Sequence, residues 1–123
     1  MLQVSNKYNL EERTAKFGEK VIDFCKLLHQ DSISKPLITQ IVRSGTSIGA
    51  NYMEANGASS KKDFVNKIFL CKKEAQETKH WLRMLACYYP DLKEKIRNIW
   101  QEAQELTLIF QKIISSSKKI NIN

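Results

Sequence analysis

Few side chains in this 123-residue sequence have the type and spacing to do chemistry. Cys25 and His29 stand four apart, which on a helix would offer a tetrahedral metal two ligands on one face. No second pair completes such a site: Cys71 falls on an apolar stripe, and His80, the other histidine, points away from it. Cys25, Cys71 and Cys87 show no paired spacing and read as reduced thiols that pack as small hydrophobes. Ser44 and Ser47 carry hydroxyls but have no neighbouring histidine to serve as a base. Gly45 and Gly49 sit inside a helical pattern with no strand before them, so they do not form a phosphate loop. Arg43 with Glu54 and Glu77 fits an ion-pair network as readily as a catalytic set. The expectation is a non-enzymatic protein with no cofactor, no metal and no small-molecule substrate.

The least ordinary stretch is RSGTSIGANYMEA, residues 43–55. Ile41, Gly45, Ile48, Tyr52 and Ala55 step by fours and threes and so share one helix face. Arg43, Ser47, Asn51 and Glu54 fall on nearly the opposite face at about 100° per residue. A solvated helix back normally carries long charged residues without pattern. Here it carries short hydroxyls and amides between one Arg and one Glu. Gly45, Gly49 and Ala50 thin the same helix, and each glycine costs about 1 kcal/mol against Ala, so close packing against another backbone is the expected reason for them.

A second pattern lies on residues 60–89. Taking Phe64 as zero, Lys61, Lys72, Lys79 and Arg83 fall between about 60° and 100°, with Lys62 and Lys73 beyond them. A basic stripe of this kind can neutralise phosphates and would give salt-sensitive binding that ignores sequence. The competing reading is a lysine-rich face that only keeps the protein soluble, and no aromatic interleaves with the stripe to stack bases. The other flank of the segment carries Glu74, Glu77 and Trp81, at about 220° to 280°. Trp81, and Trp100 further on, lie off their apolar stripes; large rim aromatics are either interface anchors or ordinary boundary packing.

The elements that must position these residues are all helical. Only 4 Gly and 2 Pro interrupt the chain, and both prolines fall where helices end or begin. Stripes at helical spacing predict four helices over about 9–30, 35–56, 60–89 and 91–116, with a polar arm over 1–8 and a frayed polar tail after 116. Asn9 with Glu12, Ser60 with Asp63, and Asp91 are the expected N-terminal caps, and Gly57 is the expected stop for the second helix. Turns of a few residues between helices of this length make an up-down antiparallel four-helix bundle, one domain over 1–123. Hydrophobic content of 42% and charged content of 27% are those of an ordinary soluble domain. No apolar run approaches the roughly 20 residues of a membrane span, and no signal segment opens the chain, so a cytoplasmic location with no membrane partner is expected. The net charge of +7 favours acidic partners such as RNA or DNA. It is concentrated: residues 59–90 hold 7 basic against 3 acidic side chains.

The string Arg-Ser-x-Thr-Ser-Ile-x-x-Asn-x-x-Glu at Arg43, Ser44, Thr46, Ser47, Ile48, Asn51 and Glu54, followed by Ser60, Asp63-Phe64, Glu77-Thr78 and Trp81-Leu82, resembles the bacterial four-helix-bundle proteins encoded in 23S ribosomal RNA intervening sequences. The resemblance runs from about Phe17 to Phe110. It departs at Ala55 or Asn56, where the family often has Gly, and at Glu74, where it often has Ser. It implies a ring-like homopentamer with no known catalytic activity and no established biochemical role. Related bundles serve as basic nucleic-acid-binding accessory proteins of retroelement reverse transcriptases, a role kept as an alternative, as is a purely structural oligomer. In a ring, the stripe of Arg43, Ser44, Ser47, Asn51 and Glu54 would meet the Glu74, Glu77 and Trp81 flank within or across subunits; a ligand site and simple solvent exposure are the other readings.

Overall fold

The structure is a computed structural model that describes residues 8–122, with side chains to Lys118. Most of the N-terminal arm expected over 1–8 lies outside the described residues. Four helices are present among these residues and no strand: α1 (Leu10–Lys26), α2 (Ser34–Asn56), α3 (Lys61–Tyr88) and α4 (Lys93–Ile122), with a 3-10 turn at Pro90–Leu92 before α4. The apolar stripes become the core. Leu10, Phe17, Val21 and Phe24 of α1, Ile41, Ile48 and Tyr52 of α2, Phe64, Ile68, Cys71, Ala75, Leu82 and Leu85 of α3, and Ile96, Ile99, Ala103, Leu106, Phe110 and Ile113 of α4 are all buried in one cluster. Each helix packs on its neighbours in sequence, while α1 and α4 meet only lightly. That last seam is closed by Arg13, whose guanidinium binds Glu102 through two hydrogen bonds of 2.8 and 2.9 Å and Glu105 through one of 3.0 Å. No helix among the described residues is long and apolar enough to cross a membrane.

The glycines of α2 sit where α1 comes closest. A Cβ on Gly45 would stand 3.0 Å from Val21 Cγ2, and one on Gly49 would stand 3.4 Å from the Thr14 hydroxyl. Gly18 of α1, which the stripe pattern leaves aside, belongs to the same seam: its Cβ position is 3.6 Å from the Thr46 Cα. Thr14 fills the gap in the α1 stripe as a buried residue by donating its hydroxyl to the Leu10 carbonyl at 2.7 Å. Burial of a hydroxyl is tolerable there because the bond is made within its own helix.

The helix ends depart from expectation in five places. The Asn9 side chain makes no cap; the residue adopts φ 50°, ψ 48°, a left-handed conformation that Asn tolerates. The first helix stops at Lys26 rather than near 30. Asp31 supplies the cap that starts α2: its carboxylate accepts the Ile33 and Ser34 amides, each at 2.9 Å, while the Ser34 hydroxyl accepts the Asp31 amide at 2.9 Å. This reciprocal pair closes the turn that leads into Ser34, one residue before the expected start at 35, with Pro36 in the first turn of the helix. Asp91 lies inside the 3-10 turn, and α4 runs on through the expected tail to Ile122. Ile113, Ile114 and Ser117 are all buried, so the helical period continues past residue 116. Ser60 behaves as expected, accepting the Asp63 amide at 3.0 Å. Gly57 caps α2 without a left-handed backbone, at φ −95°.

Candidate functional site

Because α3 lies between α2 and α4, it presents one flank to each. On the α2 side the polar residues are joined to one another. Arg43 donates to Glu74 at 3.2 Å, to Glu77, and through its Nε to Gln40 at 3.0 Å. Trp81 completes the group by donating its indole N–H to the same Glu77 oxygen at 3.0 Å. Beneath this ion pair, Ser44 and Thr78 are fully buried and share a hydrogen bond of 2.9 Å across the seam. Ser47 donates to the Arg43 carbonyl at 2.6 Å, and the Asn51 amide donates to the Ser47 carbonyl at 3.0 Å. Glu54 pairs with Lys67 at 2.8 Å rather than with Arg43. The short polar back of α2 therefore has a local cause: two residues bond their own helix, one is a buried strut, and the two charged ends find partners on α3. Neither Arg43 nor Glu54 needs a neighbouring subunit to be satisfied.

The α4 side is built differently. Lys72 donates to Gln111 at 2.6 Å and Lys79 to Gln104 at 2.5 Å, so two cations of the basic stripe are held by neutral amides and keep their charge uncompensated. Lys79 also stands 5.2 Å from the Trp100 ring centroid, within cation–π range. Arg83, Lys62 and Lys73 are exposed, and Lys61 is half-buried. Arg83 lines a groove of about 530 Å³ between α3 and α4, together with Leu82, Ala86, Lys93, Ile96, Arg97, Trp100 and Gln101. The stripe is thus continuous in sign but not in exposure. Its C-terminal end opens onto an aromatic side chain that sequence spacing on α3 alone does not connect with it.

The thiols are placed as packing groups. Cys25 and Cys71 are buried and Cys87 is exposed. Burial pushes the Cys25 thiol up to about 11 and the Cys71 thiol up to about 12, so both stay protonated and poorly nucleophilic near neutral pH. His29 lies in the α1–α2 connection, where its carbonyl accepts the Tyr89 hydroxyl at 2.6 Å. Among the described residues no three His, Cys, Asp or Glu side chains converge to hold a metal. Beside His29, the Tyr88 hydroxyl donates to Asp31. That bond, with the amides of Ser34 and Ile33, holds the Asp31 carboxyl well below its usual range, at about 2. It ties the end of α3 to the start of α2, a link no local pattern foretells.

The chain matches the model of the 23S rRNA-intervening sequence protein family over residues 6–112. It is similar to the crystal structure of a protein with unknown function from the S23 ribosomal protein family of Bacteroides thetaiotaomicron, with a TM-score of 0.78 and 34% identity over 85% of this chain and 96% of that one. No curated protein matches it.

Proposed function

The chain belongs to the 23S rRNA-intervening sequence protein family, and on that premise we propose that it is a non-enzymatic, homo-oligomeric bundle that contacts RNA or DNA through the basic flank of α3. The observation that carries this reading is the separation of charge across that helix. Glu74 and Glu77 are both engaged by Arg43 on the α2 side. Among the described residues, Lys61, Lys62, Lys72, Lys73, Lys79 and Arg83 have no acidic partner within ion-pair distance; Lys72 and Lys79 donate instead to neutral glutamine amides. An uncompensated cationic strip beside a paired one is suited to phosphate neutralisation.

A generic single-stranded RNA bound at 50 and at 200 mM salt tests this. Neutralising about five phosphates predicts an affinity loss of about 100-fold between the two conditions. Replacing Lys73 and Arg83 together by Glu should remove most of the binding. Affinity that ignores salt, or no binding at 50 mM, would leave a purely structural oligomer as the better reading.

Self-association is supported by apolar side chains that a lone bundle leaves in water: Ile22, Met53, Phe69, Leu70 and Leu108 are each exposed. Leu70 shares a flank of α3 with Glu74, Glu77 and Trp81, which supports the α2–α3 face as the joint of a pentameric ring. Arg43→Glu would place three carboxylates on that face. The wild type should sediment as a pentamer and the variant as a smaller species; a variant of unchanged mass sinks the α2–α3 face as the joint.

A further inference from the structure

We propose that the groove between α3 and α4 is the place where an unpaired nucleotide is held, with its base stacked on Trp100 and its phosphates on Arg83, Lys93 and Arg97. The inference rests on the nucleic-acid reading above and narrows it from a charged flank to one site. Three features meet there. The groove is open to solvent and has a volume of about 530 Å³. Its floor is apolar, from Leu82, Ala86 and Ile96, and its rim carries Arg83, Lys93 and Arg97 with no acidic lining residue. Trp100, off the apolar stripe of α4, lines it while remaining 39% exposed, so part of its ring is open to an incoming group.

The chemistry of the occupant follows from that composition. A flat π-surface beside cations fits a group with an aromatic face and a neighbouring anion, which is a nucleotide of a single strand. A paired helix would offer the rim its phosphates but could not turn a base onto the indole. Lys79, 5.2 Å from the ring centroid, places one more cation beside the indole. Arg97 has one acidic neighbour, Glu94, at 4.0 Å, and both side chains are largely exposed. So loose a pair yields readily to a phosphate. A base and its phosphate are common to RNA and DNA, so both are arms of the test.

The test is fluorescence anisotropy of labelled 12-nucleotide single strands of RNA and of DNA, and of a 12-base-pair duplex, against the full chain at 50 mM salt. Trp100→Leu should weaken both single strands by about 5- to 150-fold, the range lost when one stacked base loses its aromatic partner. It should leave duplex binding within twofold. Trp100→Phe, which keeps a ring, should recover most of the single-strand affinity, and this rescue separates stacking from a general loss of structure. Arg83→Glu should weaken every probe. If Trp100→Leu binds single strands as the wild type does, while all probes show the steep salt dependence, the groove is overturned and the charged flank stands. If no probe binds the wild type at 50 mM salt, both readings fall together.

Discussion

The two flanks of α3 are made from the same helix, yet they solve opposite problems. Toward α2, every long charged side chain in the seam has an oppositely charged partner, and a buried hydroxyl pair lies beneath. Toward α4, the cations are held by glutamine amides or left in solvent beside an exposed indole. A paired seam contributes fixed geometry and little net field. An unpaired one contributes field and little to stability, since a lysine bonded to an amide in partial contact with water gains only modestly. The net charge of the protein is therefore less informative than which side of one helix it is left on.

The largest effect separating the flanks should come from Arg43→Glu. It removes two ion pairs and gathers three carboxylates, so unfolding by urea should show a loss of about 1–2 kcal/mol, smaller at high salt. Lys73→Glu on the open flank should change stability by less than about 0.5 kcal/mol, as an isolated surface substitution does. If Lys73→Glu costs as much as Arg43→Glu, the distinction between a paired and an open flank is wrong. The smallest effect concerns the tie at the end of α3. The Asp31 carboxyl is depressed to about 2, below its unfolded value, so the stability it lends is present above about pH 4 and lost as the pH falls toward 2. Asp31→Ala should flatten that part of the melting-temperature profile. A profile of unchanged steepness would remove Asp31 from the acid transition.

Much of the fold could be read from residue order. The stepping of Ile41, Gly45, Ile48, Tyr52 and Ala55, and of Phe64, Ile68, Cys71, Ala75, Thr78, Leu82, Leu85 and Tyr89, identifies the buried faces, with only Tyr89 half-buried at the end of its stripe. Periodicity is a property of one helix, and burial follows it directly. Helix ends were less legible. Asn9 and Asp31 are equally good caps by residue type, and only the second is used, because α3 delivers Tyr88 to Asp31 from 57 positions away. The tail after residue 116 looked polar and aperiodic, yet Ser117 continues the buried face. A serine counts against burial by composition but is small enough to fit where the helix already leads.

The candidate site divides along the same line. Sequence by itself determined an all-helical chain, its four stripes, the glycine-thinned seam and a basic excess lying mainly on α3, since each depends on spacing within a single helix. It also set the stripe of Arg43, Ser44, Ser47, Asn51 and Glu54 against the Glu74, Glu77 and Trp81 flank, within or across subunits, without saying what joins them. Tertiary structure alone decided that Arg43 takes Glu74 and Glu77 while Glu54 takes Lys67, and that Lys72 and Lys79 turn to α4. It alone brought Trp100 beside Arg83. The reason is physical: helical period fixes the angle at which a side chain leaves its own axis, but the partner it meets is set by the rotation and offset of a second helix, which no spacing within the first contains.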